Sequence, residues 1–328
     1  MSEIMVSSRV RLARNYEDLP FRPRMQKELQ EECVRRTLGA LRELPESYRF
    51  AALRGLDENE KQVLVEKQLI TPELTENRED GAALIRQDEK VSVLMNEEDH
   101  LRIMGFGAGG DLSSAAENVF AVDDALQRGL TFAFDGQLGY LTACPTKIGT
   151  GMRASVTLHL PMLTILKQMG QVNQLAARLG LNLRGVYGEG SEAWGHLYQL
   201  SNQVTLGRTE QEILDSVSAL ARQISEMEST FREKSWEKDS VTMADQMFRS
   251  LGIAGNARRM SLKEFMAHYS NLRLGAAMGK LPLTVAECDD LLLRCQPGHV
   301  RQETDCGEKQ TDERRSDLLR RTLGNRKE

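Results

Sequence analysis

The residue types able to do chemistry gather in four short stretches. The densest runs from Gly139 to Pro161. There, Cys144 and Pro145 end a short apolar run, Gly149-Thr150-Gly151 makes a flexible turn, Arg153 follows, and Ala154 to Leu160 alternates like a strand. One glycine-rich loop between two strands therefore presents a thiol and an arginine, and such loops often carry function. The plainer reading is a hairpin with a chance cysteine. Near the N-terminus, Arg9 and Arg11 are two apart and would share one face of a strand. Either they clamp a polyphosphate, whose oxygens match the planar guanidinium fork, or they guard a solvated edge strand. The third stretch is Asn96-Glu97-Glu98-Asp99-His100-Leu101-Arg102. Its three adjacent carboxylates repel one another, so binding a cation, positioning a cationic substrate or accepting a proton are all open, beside a plain acidic turn. In the fourth, Leu181 to Val186 reads as a strand leading into a loop that presents Glu189.

Taken together these stretches have a theme. Arg9, Arg11, Arg102, Arg153 and Arg184 sit near predicted strand ends. Their convergence would be costly without a polyanion, for which a nucleoside triphosphate with magnesium is the natural choice. Glu98, Glu189 and Cys144 fall in three loops of the same sheet and suit a planar cation, because a carboxylate accepts two parallel N–H bonds from a guanidinium.

The elements that must position these groups read as strands at Ala82–Arg86, Val91–Met95, Leu181–Val186 and a closing Asn202–Gly207. Helices are expected over 26–44, 58–69, 114–128, 210–232 and, as one long element, 161–179. The glycine-rich segment 105–111 reads as mobile. From about Trp236 the patterns are helical only, at 243–251, 261–275, 285–295 and 312–323. The expected fold class is α+β: residues 1–232 as an antiparallel sheet flanked by helices, and 233–328 as an all-helical domain.

Composition narrows the function. A net charge of −5 argues against a global nucleic-acid-binding field. No apolar run approaches the ~18 residues of a membrane span, and the N-terminus shows no signal peptide. Five scattered cysteines do not form a disulfide framework, so a reducing cytoplasm is expected. Three motif readings fail. Gly188-x-Gly190-x-x-Ala193 would turn Glu189 toward a pyrophosphate; Cys288, Cys295, His299 and Cys306 are too widely spaced for a zinc site; and Gly275–Lys280 has the wrong spacing for a phosphate loop. No metal-ligating residue is assigned.

The segments Ser-x-Arg-x-Arg, Asn-Glu-Glu-Asp-His-Leu-Arg, Cys-Pro-Thr-x-x-Gly-Thr-Gly-x-Arg-Ala and Arg-Gly-x-x-Gly-Glu resemble, in that order, those of the phosphagen (guanidino) kinases. The sequence looks closest to their bacterial protein-arginine-kinase, McsB-type, branch. The resemblance implies the glutamine-synthetase-like catalytic fold and ATP with Mg2+. It gives Glu98 and Glu189 the task of gripping the guanidinium, with Glu98 as proton acceptor and Cys144 alongside as a thiolate. Ser7, Arg9, Arg11, Arg102, Arg153 and Arg184 would hold the nucleotide phosphates. The sequence starts almost at the first motif, without the small helical domain that precedes it in kinases of free guanidino compounds. That favours arginine on a protein as substrate, marked for stress response or degradation.

Implied partners are proteins with exposed arginines and, beyond them, a transcriptional repressor, an activator protein and a Clp-type protease. A homo-oligomer is expected; nucleic acid and membrane are not. In the tail, Asp312 and Arg315 resemble part of a phosphoarginine-binding pattern whose first arginine is here Thr311. Two further departures are Gln68, where a histidine near the nucleotide is usual, and Lys147, where asparagine is usual. A kinase of a free guanidino metabolite and a weakly catalytic adaptor that binds phosphoarginine or a repressor are the alternative functions.

Overall fold

The computed structural model describes residues 3–42, 44–76, 80–187 and 193–324. The chain opens with β1 (Met5–Arg14), α1 (Lys27–Ala40), β2 (Tyr48–Ala52), α2 (Glu58–Glu66) and α3 (Pro72–Thr75). The hairpin strands β3 (Ala82–Arg86), β4 (Val91–Met95) and β5 (Leu101–Ala108) precede α4 (Leu112–Gln127). A small hairpin, β6 (Phe134–Asp135) with β7 (Gly139–Tyr140), leads to β8 (Met152–His159), α5 (Pro161–Ile165), α6 (Met169–Arg178), β9 (Leu181–Gly185) and β10 (Leu197–Asn202). The rest is helical: α7 (Glu210–Lys238), α8 (Ser240–Asn256), α9 (Leu262–Ala277), α10 (Val285–Arg294), α11 (Pro297–Thr304) and α12 (Thr311–Leu323).

Eight strands form one sheet in the order β2-β3-β4-β5-β1-β8-β10-β9, and every neighbouring pair is antiparallel. Register divides its faces by parity. Val10, Leu12, Ile103, Ala154, Val156, Leu158 and Leu200 are buried on one face, under α4 and α7. The other face is covered only in part. There α2, α3 and the segment between them bring Leu64, Leu69 and Leu74 against Ile85, Leu94 and Met104. A separate apolar core joins α8, α9, α10 and α12 and takes in Met162 and Leu197 from the sheet region. Among the described residues no helix is long and apolar enough to cross a membrane.

Several expectations need correction. Strand β1 is central, which removes the edge-strand reading of Arg9 and Arg11; both lie mid-strand rather than at a strand end. Residues Gly105–Ala108 belong to β5 and are not a mobile loop. A Cβ on Gly105 would fall 2.3 Å from the Ala115 carbonyl, so this glycine lets α4 lie close against the strand. The expected helix 161–179 is two helices, because Lys167 adopts a left-handed φ of 58°. No Gly or Pro marks that break. The strand expected at 202–207 instead ends at Asn202; the segment after it is held by Thr205 Oγ1 donating to the Ile148 carbonyl at 2.7 Å. Helix α7 runs unbroken through the boundary drawn at 232/233. Its buried Glu228 accepts the first N–H groups of α5, from Met162 and Leu163, and pairs with Arg232.

Candidate active site

Register places the arginines. Arg11 lies directly opposite Arg153 across β1 and β8, and Arg9 opposite Ser155. Arg102 faces Ala13 on β1, and Arg184 faces Gln199 on β10. By parity Ser7, Arg9, Arg11, Arg102, Arg153 and Arg184 all project from the open face. They border adjoining clefts of about 1020 Å³ and 290 Å³, the smaller lined by Ser7 and Arg9. Residues of the helical region close the walls: Gln296 on the larger cleft, Asp289 and Leu292 on the smaller.

Only Arg102 in this cluster is ion-paired among the described residues, to Glu97 and Glu98. Arg9 donates to Gln68 Oε1 at 3.0 Å and Arg153 to Ser201 Oγ at 3.0 Å. Among the described residues, the buried Nε groups of Arg9, Arg11 and Arg153 have no hydrogen-bond partner. Burial, then the neighbouring Arg102 and Arg153 guanidiniums, pulls the Arg9 pKa down to about 10. Arg11 is pushed well below the ordinary arginine value by burial and by Arg9, Arg102 and Arg153, with Glu97 opposing. Arg153 is lowered by burial, Arg184 and Arg102. Each guanidinium still carries its charge at neutral pH. Unpaired buried donors on crowded cations are satisfied by a bound polyanion.

The three adjacent carboxylates divide their tasks. Asn96, at a φ of 61°, turns the β4–β5 hairpin, and its N–H reaches the His100 carbonyl. Glu97 is buried; it accepts Thr71 Oγ1 at 3.0 Å and the Glu98 N–H at 2.7 Å, and holds Arg102 at 2.8 Å. Asp99, also buried, accepts Asn15 Nδ2 at 2.8 Å and the Ala143 N–H at 2.7 Å, which ties down the loop carrying Cys144. Only Glu98 faces the larger cleft, with 43% of its side chain exposed. Lys147 is ion-paired to it, and Arg102 lies 3.4 Å away. The sequence left these roles open. Thr71 and Asn15 carried no signal at all, since their partners are distant in the chain.

The Cys144 loop is braced from both sides. Its half-exposed thiol lies 3.0 Å from Thr146 Oγ1, and Thr146 and Lys147 line the larger cleft. Gly151 has a φ of 63°, and a Cβ there would press on the Ala13 carbonyl at 2.7 Å, so the turn before Arg153 needs glycine. Glu189 lies outside the described residues. Asp312 and Arg315 contact each other at 2.5 Å within the helical region. Arg315 is buried, and also donates to the carbonyls of Cys295 and Met260 at 2.7 and 2.8 Å. Its Nε and Nη1 are therefore committed to protein acceptors. Nearby Arg314 is half exposed and pairs with Asp317.

Residues 29–231 match the family model of the ATP:guanido phosphotransferase C-terminal catalytic domain. The chain belongs to that family. In this ATP:guanido phosphotransferase, residues 240–328 match a second model, the protein-arginine kinase McsB C-terminal domain. A protein-arginine kinase of Brevibacillus brevis is 42% identical over 98% of this chain and 92% of its own length. One from Bacillus subtilis is 39% identical over 98% of this chain and 90% of its own. Among solved structures, lombricine kinase shares the fold with a TM-score of 0.64 at 22% identity, over 71% of this chain and 68% of its own. The duplicated taurocyamine kinase of Schistosoma mansoni gives 0.65 at 26%, over 79% of this chain and 37% of its own.

Proposed function

We infer that this protein transfers the γ-phosphoryl group of ATP to the guanidinium of arginine side chains in other proteins. The observation that carries the reading is the row of arginines on one sheet face, three of them with buried Nε groups that lack a partner, beside the single cleft-facing carboxylate of its hairpin, Glu98. Arg9, Arg11, Arg102, Arg153 and Arg184 bind the phosphates and offset the charge that spreads over the transferred group. Glu98 aligns one guanidinium nitrogen and takes its proton as the P–N bond forms and the bond from phosphorus to the ADP oxygen breaks. Such a base is needed because free arginine stays protonated to about pH 12 or above. Glu189 is proposed as the second carboxylate against the guanidinium, and Cys144 as a flanking thiolate. Ser7 borders the nucleotide. Among the described residues no three His, Cys, Asp or Glu side chains come together to hold a metal. Magnesium would arrive with the nucleotide phosphates, as it commonly does, and supply counter-charge there.

The arginine-kinase names of the relatives and the match of the helical region support a protein substrate over a free guanidino compound. The cleft chemistry itself calls for a guanidinium, and the relatives' names favour one carried on a protein. A phosphoarginine ligand at Asp312 would be met by Arg314 or by the remaining Nη2 of Arg315. The deciding experiment incubates the protein with ATP and either an arginine-rich protein or free arginine, and reads products by mass spectrometry at neutral pH. A phosphoryl increment on protein arginine is expected. Modification of free arginine alone would replace the substrate class, and no transfer to either would remove the reading.

A further inference from the structure

Glu98 does not meet the cleft alone. The short turn Pro145–Lys147 brings the Lys147 ammonium onto Glu98 Oε2, the same oxygen that Arg102 approaches at 3.4 Å. The backbone of this turn is fixed. Lys147 N–H donates to the Cys144 carbonyl at 3.0 Å, and Thr205 Oγ1 donates to the carbonyls of Thr146 and Ile148. Only the lysine side chain is left to move. A second seat lies beside the first: Asp99 Oδ2 is 3.4 Å from Nζ. Asn15 and the Ala143 N–H both occupy Asp99 Oδ1, so Oδ2 is turned to the lysine.

We propose that Lys147 is a tethered occupant of the guanidinium seat at Glu98, displaced onto Asp99 when substrate arginine enters, and so sets the affinity threshold that any arginine must pass at the site. The proposal rests on Glu98 receiving the guanidinium. Three cations cannot share one carboxylate oxygen without loss, because like charges at hydrogen-bond range oppose each other. Entry of arginine therefore carries the work of moving Lys147. A guanidinium with no other anchor bears that penalty in full. An arginine on a protein offsets it through contacts of the surrounding chain. Lys147 thus sets the affinity of the seat for any arginine and acts through Glu98.

The test compares wild type with Lys147→Met and Lys147→Arg. An arginine-containing peptide is titrated by calorimetry without nucleotide, and steady-state constants are measured with ATP. Lys147→Met should tighten peptide binding and lower the peptide KM about three- to tenfold, the range expected for losing one partly exposed competing ion pair. The KM for ATP should stay fixed, and Lys147→Arg should follow the wild type. In a Glu98→Gln background the gain from Lys147→Met should vanish. Peptide affinity in Lys147→Met equal to or weaker than wild type overturns the proposal while leaving the transfer reading intact. Full turnover in Glu98→Gln overturns both.

Discussion

Two sets of arginines in this molecule, four of them buried and three partly buried with their Nε atoms shut away from solvent, have opposite surroundings. Arg14 is gripped by Asp123 at 2.8 Å, donates to the carbonyls of Ala13 and Thr150 and stacks on Tyr140. Arg273 meets Asp289 and the Glu3 carbonyl, Arg232 meets Glu228 and the His159 carbonyl, and Arg315 meets Asp312 and two carbonyls. These four join elements distant in the chain. Arg9, Arg11 and Arg153 have unpaired Nε groups and cationic neighbours. A saturated arginine holds the fold; an unsaturated one waits for a ligand. Buried ionic groups are tolerable only when paired, so the unpaired set is maintained at a cost in stability.

The largest way to probe this contrast is at the carboxylate the unpaired set serves. Glu98→Gln should cut transfer by about 10²–10⁴-fold while melting temperature and nucleotide affinity stay near wild type. Equal turnover in a kinetic assay would move the base elsewhere. Next comes the saturated set. Arg14→Met strands Asp123 in the core and should destabilise the fold by about 3–5 kcal/mol, read by denaturant unfolding. A change under about 1 kcal/mol would show that saturation is not what makes these arginines structural.

A smaller effect of opposite sign is expected from the unpaired set. Arg11→Met relieves repulsion with Arg9, Arg102 and Arg153 and should raise nucleotide-free stability by up to about 1 kcal/mol. The same variant should lose most of the melting shift that ATP gives the wild type. A less stable variant with an intact shift would collapse the comparison.

The smallest effect concerns pH. His159, buried against Ser270 at 2.9 Å, has its pKa pushed well below 6.5 by burial, then by Arg273, Arg232 and His196. The unfolded chain takes up this proton near 6.5 and the folded chain does not. Stability should therefore be full above that pH and fall as the pH drops from there toward the folded-state pKa. His159→Gln should flatten that part of the stability–pH curve; an unchanged slope would assign it to other groups.

The shared face of Arg9 and Arg11 was legible because spacing by two survives as shared-face geometry whichever strand it falls on. The loops of Glu98 and Cys144 were legible because adjacent like charges and a Gly-Thr-Gly turn have few purely structural uses. The division of labour among Glu97, Glu98 and Asp99 was not, since it depends on Thr71, Asn15 and Ala143 meeting them across the fold. The burial of Arg315 was hidden for a related reason: an Asp–Arg pair three apart on a helix reads alike whether it faces solvent or core. The break at Lys167 has no chemical mark, and the glycines of β5 pointed to mobility although they serve close packing.

Glu66 ends α2, and its carboxylate accepts the N–H groups of Gly298 and His299 at the start of α11, across 232 and 233 residues of chain. Two residues after Glu66, Gln68 reaches Arg9. Contacts of such long separation form late, and on a ribosome they await the synthesis of their second half. During translation the strands that carry Arg9, Arg11 and Arg153 therefore emerge well before the wall that Gln296 supplies. Until α11 is made and seats against α2, the cleft lacks that wall, and a product cut ahead of residue 297 would keep its row of cations open on that side.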